Sequence, residues 1–227
     1  MWDTPRPDQY FHRMAFNPAL GTAATITPQG GAYQWPTAVF QPVVASSNAV
    51  DAAAGTGART IRVSYLDGDY AEQSEIVTLN GTTNVTMAAE DVLRIQDVRV
   101  VTAGSGGVTA GNITVKNADA TVGYIGAGYN CNRQGVFTVP AGRRLFIVGV
   151  KLSATHTASN KRAILAITRR TGAIFNTLWE AAMPDGAFEE SFSFPLILPE
   201  KTDFFCRGVS DGTATVHMFI EGWLGDK

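Results

Sequence analysis

Short strand-like segments, separated by turn residues, recur along this chain from about residue 58 to its last residues. Residues 60–65 alternate polar and apolar side chains, as expected for a strand with one apolar face. Residues 213–221 alternate in the same way, with an apolar face formed by Ala214, Val216, Met218 and Ile220. Such segments follow one another at intervals of roughly 8–12 residues, and helix signals are scarce. The predicted fold class is therefore all-β, an antiparallel, jelly-roll-like sandwich of one or two β modules.

Three turn sequences predict hairpins between these segments. The pair Asp67-Gly68 predicts one turn, and the pair Asn80-Gly81 predicts a second. Residues 169–172, which read Arg-Arg-Thr-Gly, predict a third. Residues 145–152 are apolar on both strand faces, which predicts a central strand covered on both sides.

Residues 1–45 differ in composition from the rest of the chain, because they hold six of its ten prolines. Repeated proline prevents a continuous helix or a central strand, whereas large aromatic rings favour burial. We therefore predict an extended arm that lies either on its own domain or on a neighbouring molecule. The predicted partner-binding residues of this arm are Trp2, Tyr10, Phe11, Phe16 and Trp35.

The domain organisation is predicted from changes in composition. Small residues between 45 and 57 predict a flexible spacer or loop after the arm. We expect residues 46–117 to form a first β module and residues 118–227 a second, jelly-roll-like module. One continuous sandwich over both ranges stays an open alternative.

Charge and composition exclude several classes of partner. A net charge of −2 argues against sequence-independent nucleic-acid binding, which requires clustered Lys and Arg. We expect no membrane segment, since no apolar run approaches roughly 18 residues, and the first residues lack the pattern of a signal peptide. Cys131 and Cys206 are expected to be free, mostly buried thiols, and a disulfide between them stays an alternative.

Catalytic patterns are hard to find in this sequence. His12, His156 and His217 are scattered and show no metal-ligand spacing. Glu189 and Glu190 are adjacent on a predicted strand, so their side chains point to opposite faces and cannot act together on one bond. The expectation is a protein without enzymatic activity, without a cofactor and without a metal site.

Several turn and strand sequences resemble a module of virion structural proteins from tailed phages. They are residues 55–63 (GTGARTIRV), 66–67 (LD), 74–83 (SEIVTLNGTT), 93–95 (LRI), 104–115 and 139–144 (VPAGRR). The resemblance implies an assembly component, such as a capsid decoration (cement) protein or a part of the tail or fibre base. It supplies no catalytic residues.

The functional hypothesis is a capsid decoration protein that is made in the bacterial host cytoplasm and becomes part of the virion. We expect a homo-oligomer, a trimer in the leading hypothesis, that contacts the major capsid protein or tail proteins. A tail, collar or fibre-base component is an alternative of the same class. A host-surface glycan-binding module is an alternative of another class, in which Tyr124, Tyr129 or Trp223 would stack on sugar rings.

Overall fold

The computed structural model describes residues 10–227, and within this range the chain is all-β. The strands are β1 (Tyr10–Leu20), β2 (Ala24–Thr25), β3 (Val43–Ser46), β4 (Ala58–Asp67), β5 (Glu72–Thr78), β6 (Val85–Thr86), β7 (Val92–Ala103), β8 (Ile113–Asn117), β9 (Ala120–Ile125), β10 (Val136–Thr138), β11 (Arg143–His156), β12 (Ala163–Thr171), β13 (Ile174–Met183), β14 (Gly186–Leu198), β15 (Asp203–Ser210) and β16 (Ala214–Asp226). No helix in residues 10–227 is long and apolar enough to cross a membrane.

The chain divides into two compact units. Unit 1 comprises residues 10–32 and 134–227 of the described range, and unit 2 comprises residues 33–133. These bounds differ from the predicted ranges 1–45, 46–117 and 118–227. The difference arises because residues 10–20 form β1, which pairs along its length with the last strand, β16. Over these residues the predicted arm is a strand of the sandwich.

Unit 1 is built of two antiparallel sheets. One has the strand order β1-β16-β11-β14, and the other has the order β10-β15-β12-β13 with β2 also paired to β15. The pairs β1/β16, β2/β15, β11/β14 and β12/β13 are nested from the outermost strands of the unit to the innermost hairpin. The chain of unit 1 is therefore one long hairpin that is rolled up on itself, which is the jelly-roll topology. The predicted fold class is confirmed.

The edge strand beside β15 is assembled from two distant parts of the sequence. Thr25 of β2 pairs with Arg207, and Val136 of β10 pairs with Phe205. Between them, the main-chain N–H of Ile26 donates to the carbonyl oxygen of Cys206 at 2.8 Å, and the N–H of Cys206 donates to the carbonyl oxygen of Gly135 at 2.6 Å. Unit 2 is thus inserted into the middle of one strand of the jelly roll.

The inward faces of both sheets supply the core of unit 1. The predicted apolar face of residues 213–221 is fully buried there, which confirms the alternation predicted for β16. The thiol of Cys206 is also buried in this core, and both cysteines are free. Burial raises the pKa of the Cys206 thiol to about 12, so this group is an unreactive part of the packing.

Unit 2 contains two further antiparallel sheets, with orders β6-β3-β8-β9 and β5-β4-β7. The alternation predicted for residues 60–65 is confirmed, since Ile61, Val63 and Tyr65 are buried in β4. Their outward neighbours Arg62 and Ser64 are exposed or half-buried.

A buried carboxylate ties the loops of unit 2 together. The side chain of Asp51 accepts hydrogen bonds from the hydroxyl of Ser46 at 2.6 Å and from the main-chain N–H groups of Ala58, Ala110 and Gly111 at 2.8–2.9 Å. Burial opposes the ionisation of Asp51, but these four donors outweigh it and hold the pKa of Asp51 below its usual value of 3.8. The charged carboxylate therefore organises segments that are far apart in sequence.

Two of the three predicted hairpins are confirmed. Asp67-Gly68 forms the turn between β4 and β5, where the Asp67 carboxylate accepts main-chain hydrogen bonds from Asp69 and Ala71. The hairpin at residues 169–172 closes where Thr171 pairs with Ile174.

The hairpin predicted at Asn80-Gly81 is wrong, because β6 pairs with β3 of the other sheet, whereas β5 pairs with β4. The main chain of Gly81 instead donates to the carbonyl oxygen of Asp51 and accepts from the N–H of Ser46. This turn carries the chain from one sheet to the other.

Residues 145–152 lie in β11, which is central between β16 and β14 as predicted. Only one face of β11 is covered, however. Phe146 and Val148 are half-buried on the other side and Lys151 is exposed. The outward face of this sheet is consequently apolar but open.

Candidate interaction surface

A row of large side chains crosses the outward face of the sheet β1-β16-β11-β14. Tyr10 pairs with Trp223, Trp223 pairs with Phe146, and Phe146 pairs with Ile197. Directly opposite residues of neighbouring strands project from the same face of a sheet. The rings of Phe146 and Trp223 stack with their centroids 5.3 Å apart. Tyr10 is 61% exposed and Ile197 is 54% exposed, so both ends of the row are open to solvent.

Further aromatic residues continue along the same face. The ring of Phe219 stacks on His12 at 5.7 Å, and Phe16 contacts His217 at 4.7 Å. Met14 pairs with Phe219 and is 43% exposed. We call this surface the outer aromatic face; its members are Tyr10, Met14, Phe16, Phe146, Ile197, Phe219 and Trp223.

Charges of both signs lie within the outer aromatic face. The amino group of Lys151 is 3.0 Å from the Glu221 carboxylate and 3.5 Å from the Glu189 carboxylate. The hydrogen bond to Glu221 and the negative charge of Glu189 raise the pKa of Lys151 above its usual value. Because these groups are solvent-exposed, the ion pairs contribute little to folding and remain available to a partner.

A second apolar area lies on the edge strands β13 and β14 of unit 1. Ile174 and Phe175 of β13 are 66% and 55% exposed. Ile147 of β11 pairs with Leu196 of β14, but Gly149, two residues later, pairs with Ser191. β14 therefore has extra residues between these two positions. Phe194 lies among the extra residues and is 82% exposed. This irregularity turns a large ring towards solvent.

The structure separates the predicted partner-binding residues. Tyr10 and Phe16 both lie on the outer aromatic face. Phe11 is 5% exposed and sits in the core of unit 1, where its ring contacts those of Phe137 and Phe204, so it is not accessible to a partner. Trp35 belongs to unit 2. Trp2 lies outside the described residues.

Trp35 is half-buried within unit 2. Its ring contacts that of Tyr33 edge-on at 4.8 Å, and the guanidinium of Arg94 lies over it at 5.6 Å. These contacts explain its position through packing inside its own unit.

Five members of the outer aromatic face were not among the predicted partner-binding residues, and three of these five are aromatic. Phe219 and Trp223 share the outward positions of β16 with His217, so the alternation that identified the inward face also identifies them. Phe146 carries no comparable signal, because residues 145–152 are apolar at both inward and outward positions.

The titratable residues singled out in the sequence have separate surroundings. Glu190 accepts a hydrogen bond from the indole N–H of Trp179 at 3.0 Å, whereas Glu189 pairs with Lys151. His156 is buried against Asp185. Within residues 10–227, no group of three or more His, Cys, Asp or Glu side chains is placed to hold a metal ion.

The contact between His156 and Asp185 predicts a pH dependence of stability. The Asp185 carboxylate accepts from the main-chain N–H of His156 and also contacts its ring Nδ1, both at 2.7 Å, which holds the pKa of Asp185 below its usual 3.8. A depressed carboxyl pKa contributes stability at higher pH that is lost as the pH falls through the folded-state value. Between about pH 5 and about pH 2, the urea midpoint of the wild-type protein should fall further than that of Asp185→Asn. Glu180→Gln, which changes an exposed carboxylate of β13, should behave like the wild type. If the urea midpoints of all three proteins fall equally over this pH range, the prediction is contradicted.

No family model matches this chain, and no curated protein matches it. Among solved structures, it is similar to a chain of the cowpea mosaic virus empty virus-like particle, with 10% identity, 82% of this chain and 81% of that chain covered, and a TM-score of 0.23. It is also similar to the infectious bursal disease virus VP2 subviral particle, with 11% identity, coverage of 97% and 73%, and a TM-score of 0.23. TM-scores this low do not indicate a shared fold. The jelly-roll assignment of unit 1 rests on its own strand pairing.

Proposed function

We propose that this chain is a non-enzymatic virion structural protein that assembles with further copies of itself through the outer aromatic face. The supporting observation is the unbroken row Tyr10, Trp223, Phe146 and Ile197 across all four strands of one sheet. The outer face of an antiparallel sheet that meets only water normally carries polar side chains. A contiguous apolar patch at such a place is typical of a protein–protein interface.

A second copy is the partner that fits this surface best. Lys151 and the carboxylates of Glu189 and Glu221 lie beside the aromatic rows, so one face offers both signs of charge. Two copies can therefore meet with aromatic surface against aromatic surface and with opposite charges opposed. Aromatic residues of this size are also the ones that dominate binding energy in interfaces.

In its finer form, the proposal is a capsid decoration protein of a tailed phage that acts as a trimer on the major capsid protein. The resemblance of residues 55–63 and 74–83 to phage virion proteins supports it, as does the low charged fraction of 17%. A tail, collar or fibre-base position is the alternative within the same class. The proposal also includes residues 1–9 of the predicted arm, with Trp2 as a partner-binding residue.

Solution mass tests the proposed interface. In the double variant Tyr10→Ser/Trp223→Ser, the dissociation constant of the oligomer should rise by about 30-fold or more for each ring removed. The matched control, Ile174→Ser/Phe175→Ser, removes two exposed apolar residues from the other area and should leave the mass unchanged. Light scattering across a dilution series measures both. A wild-type monomer at all concentrations, or loss of the oligomer only in the control variant, would rule out the proposed interface.

Two further arms of the same experiment address the remaining parts of the proposal. Deleting residues 1–9 tests the arm without removing β1; deleting residues 1–45 would remove that whole strand and expose the core. Binding of wild-type protein, but not of Trp223→Ser, to oligosaccharides on an array would favour the glycan-binding alternative.

A further inference from the structure

The outward face of the sheet β5-β4-β7 in unit 2 carries an open cavity of about 430 Å³. Its floor is formed by β4 and β7, and its lining residues are Arg62, Ser64, Asp97, Arg99, Val100 and Val101. The cavity lies on a different sheet and in a different unit from the outer aromatic face. What it could bind is therefore independent of the proposed function.

Two arginines stand directly opposite each other in this cavity. Arg62 of β4 and Arg99 of β7 are register partners. Like charges at directly opposite positions of neighbouring strands repel each other and destabilise the pair. Arg99 is compensated by an ion pair with Asp97, which raises the pKa of Arg99. Among the residues that the structure describes, none forms an ion pair with Arg62, so the cavity carries more positive than negative charge.

The local backbone is irregular on both sides of this arginine pair. The register between β4 and β7 shifts between Thr60 and Ile61, and again between Ser64 and Tyr65. At each shift β7 has one residue more than β4, with Val101 between the partners of Thr60 and Ile61 and Gln96 between the partners of Ser64 and Tyr65. Bulges of this kind redirect side chains and are frequent beside binding sites. Here they flank the segment that bears Arg62, Arg99 and the hydroxyl of Ser64.

We propose that this cavity is an oxyanion-binding site, which takes a phosphate or carboxylate group between the guanidinium groups of Arg62 and Arg99. A guanidinium donates two parallel N–H bonds to such a group, and two opposed guanidinium groups match its several oxygens. The hydroxyl of Ser64 supplies a further donor. A bound anion would offset the repulsion between the two arginines. The Asp97 carboxylate competes with this anion, because it already forms an ion pair with Arg99.

NMR titration of the full-length protein with inorganic phosphate tests this site, with acetate as a second series to distinguish phosphate from carboxylate selectivity. At constant ionic strength, the side-chain Nε–H signals of Arg62 and Arg99 and the amide signal of Ser64 should shift together and saturate. In Arg62→Gln the half-saturating concentration should rise by about ten-fold. In Asp97→Asn it should fall, because the competing carboxylate is gone.

Arg59→Gln is the matched control, because Arg59 lies on the same strand and its Nε–H donates to the carbonyl oxygen of Gly55 at 2.9 Å. It should titrate like the wild type. Arg62 is exposed, so its replacement should leave the thermal midpoint unchanged or slightly raised. An absence of saturable shifts, or the same titration curve for Arg62→Gln and the wild type, would refute the site.

Discussion

A shortened chain in which Ile26 is joined directly to Val136 should fold into unit 1 alone. The deletion removes residues 27–135, which include the whole of unit 2. Thr25 pairs with Arg207 and Val136 pairs with Phe205, so that one position, opposite Cys206, lies between them. When Ile26 takes that position, the spliced strand has one residue for each residue of β15 and keeps its register.

The hydrogen bonds at the junction support this particular splice. In the complete chain, Ile26 supplies the N–H that bonds to Cys206, and Gly135 supplies the carbonyl oxygen that accepts from Cys206. After the splice, Ile26 can make both bonds, which gives the reciprocal pair of a regular antiparallel ladder. The core residues Phe137 and Val139 keep their places, because no inward position changes its parity.

Cooperative thermal unfolding and the far-ultraviolet circular dichroism of β-structure measure the outcome. The matched control joins Ile26 to Phe137 instead and is one residue shorter. This slip moves Phe137 from the core face to the opposite face and should abolish cooperative unfolding. If both spliced chains fail to fold, unit 1 requires unit 2 and the prediction is wrong; if both fold equally well, the continuous-strand explanation is wrong.

The variant Asp51→Ala should destabilise unit 2 by about 3–5 kcal/mol. It removes a charged acceptor and leaves the main-chain N–H groups of Ala58 and Gly111, which are buried, and of Ala110, which is part-buried, without this hydrogen-bond partner. An unsatisfied buried donor loses its interaction with water and gains nothing in exchange. The end of β3, the start of β4 and the loop at residues 110–111 lose their shared anchor at once, so the effect should exceed that of most single substitutions.

Denaturant unfolding monitored by signals from unit 2 measures this loss. Asp67→Ala is the matched control, because its carboxylate also caps a loop but lies in an exposed turn. Its effect should stay near 1 kcal/mol. In the wild type, the contribution of Asp51 should be present above the unfolded-state pKa and disappear as the pH falls through the lower folded-state value. A loss in Asp51→Ala no larger than that in Asp67→Ala would show that the buried hydrogen bonds are not the anchor.

The sequence predicts the strands of this protein best where an apolar alternation is uninterrupted. Residues 60–65 and 213–221 have this pattern and lie as predicted. In β1 the same alternation is hidden in the sequence, because two of its buried inward positions are polar. Arg13 lies between the apolar inward residues Phe11 and Ala15, and Asn17 follows Ala15. Polar residues at inward positions, together with the nearby prolines, favoured the prediction of an arm.

Two other features depend on contacts that no local pattern contains. Asn80-Gly81 has the composition of a hairpin, but the main-chain bonds of Gly81 to Asp51 and Ser46 direct the chain to the other sheet. The bounds of unit 1 depend on a contact between Ile26 and Gly135, which are more than a hundred residues apart in the sequence. Part of the outer aromatic face is predictable, since Tyr10 and Phe16 are among the residues that the sequence predicts to bind a partner, although as parts of an arm rather than of a sheet.

The inserted position of unit 2 imposes an order on events during synthesis. Every strand pair of unit 2 joins residues between 40 and 125, so this unit can complete its pairing while the C-terminal half is still being translated. Unit 1 cannot close until β16 has left the ribosome, because β16 lies between β1 and the rest of its sheet. Folding of unit 2 first would compact residues 33–133 and so shorten the effective loop that the late strands of unit 1 must close. A unit that interrupts one strand in the sequence would thus help the two parts of that strand to meet during folding.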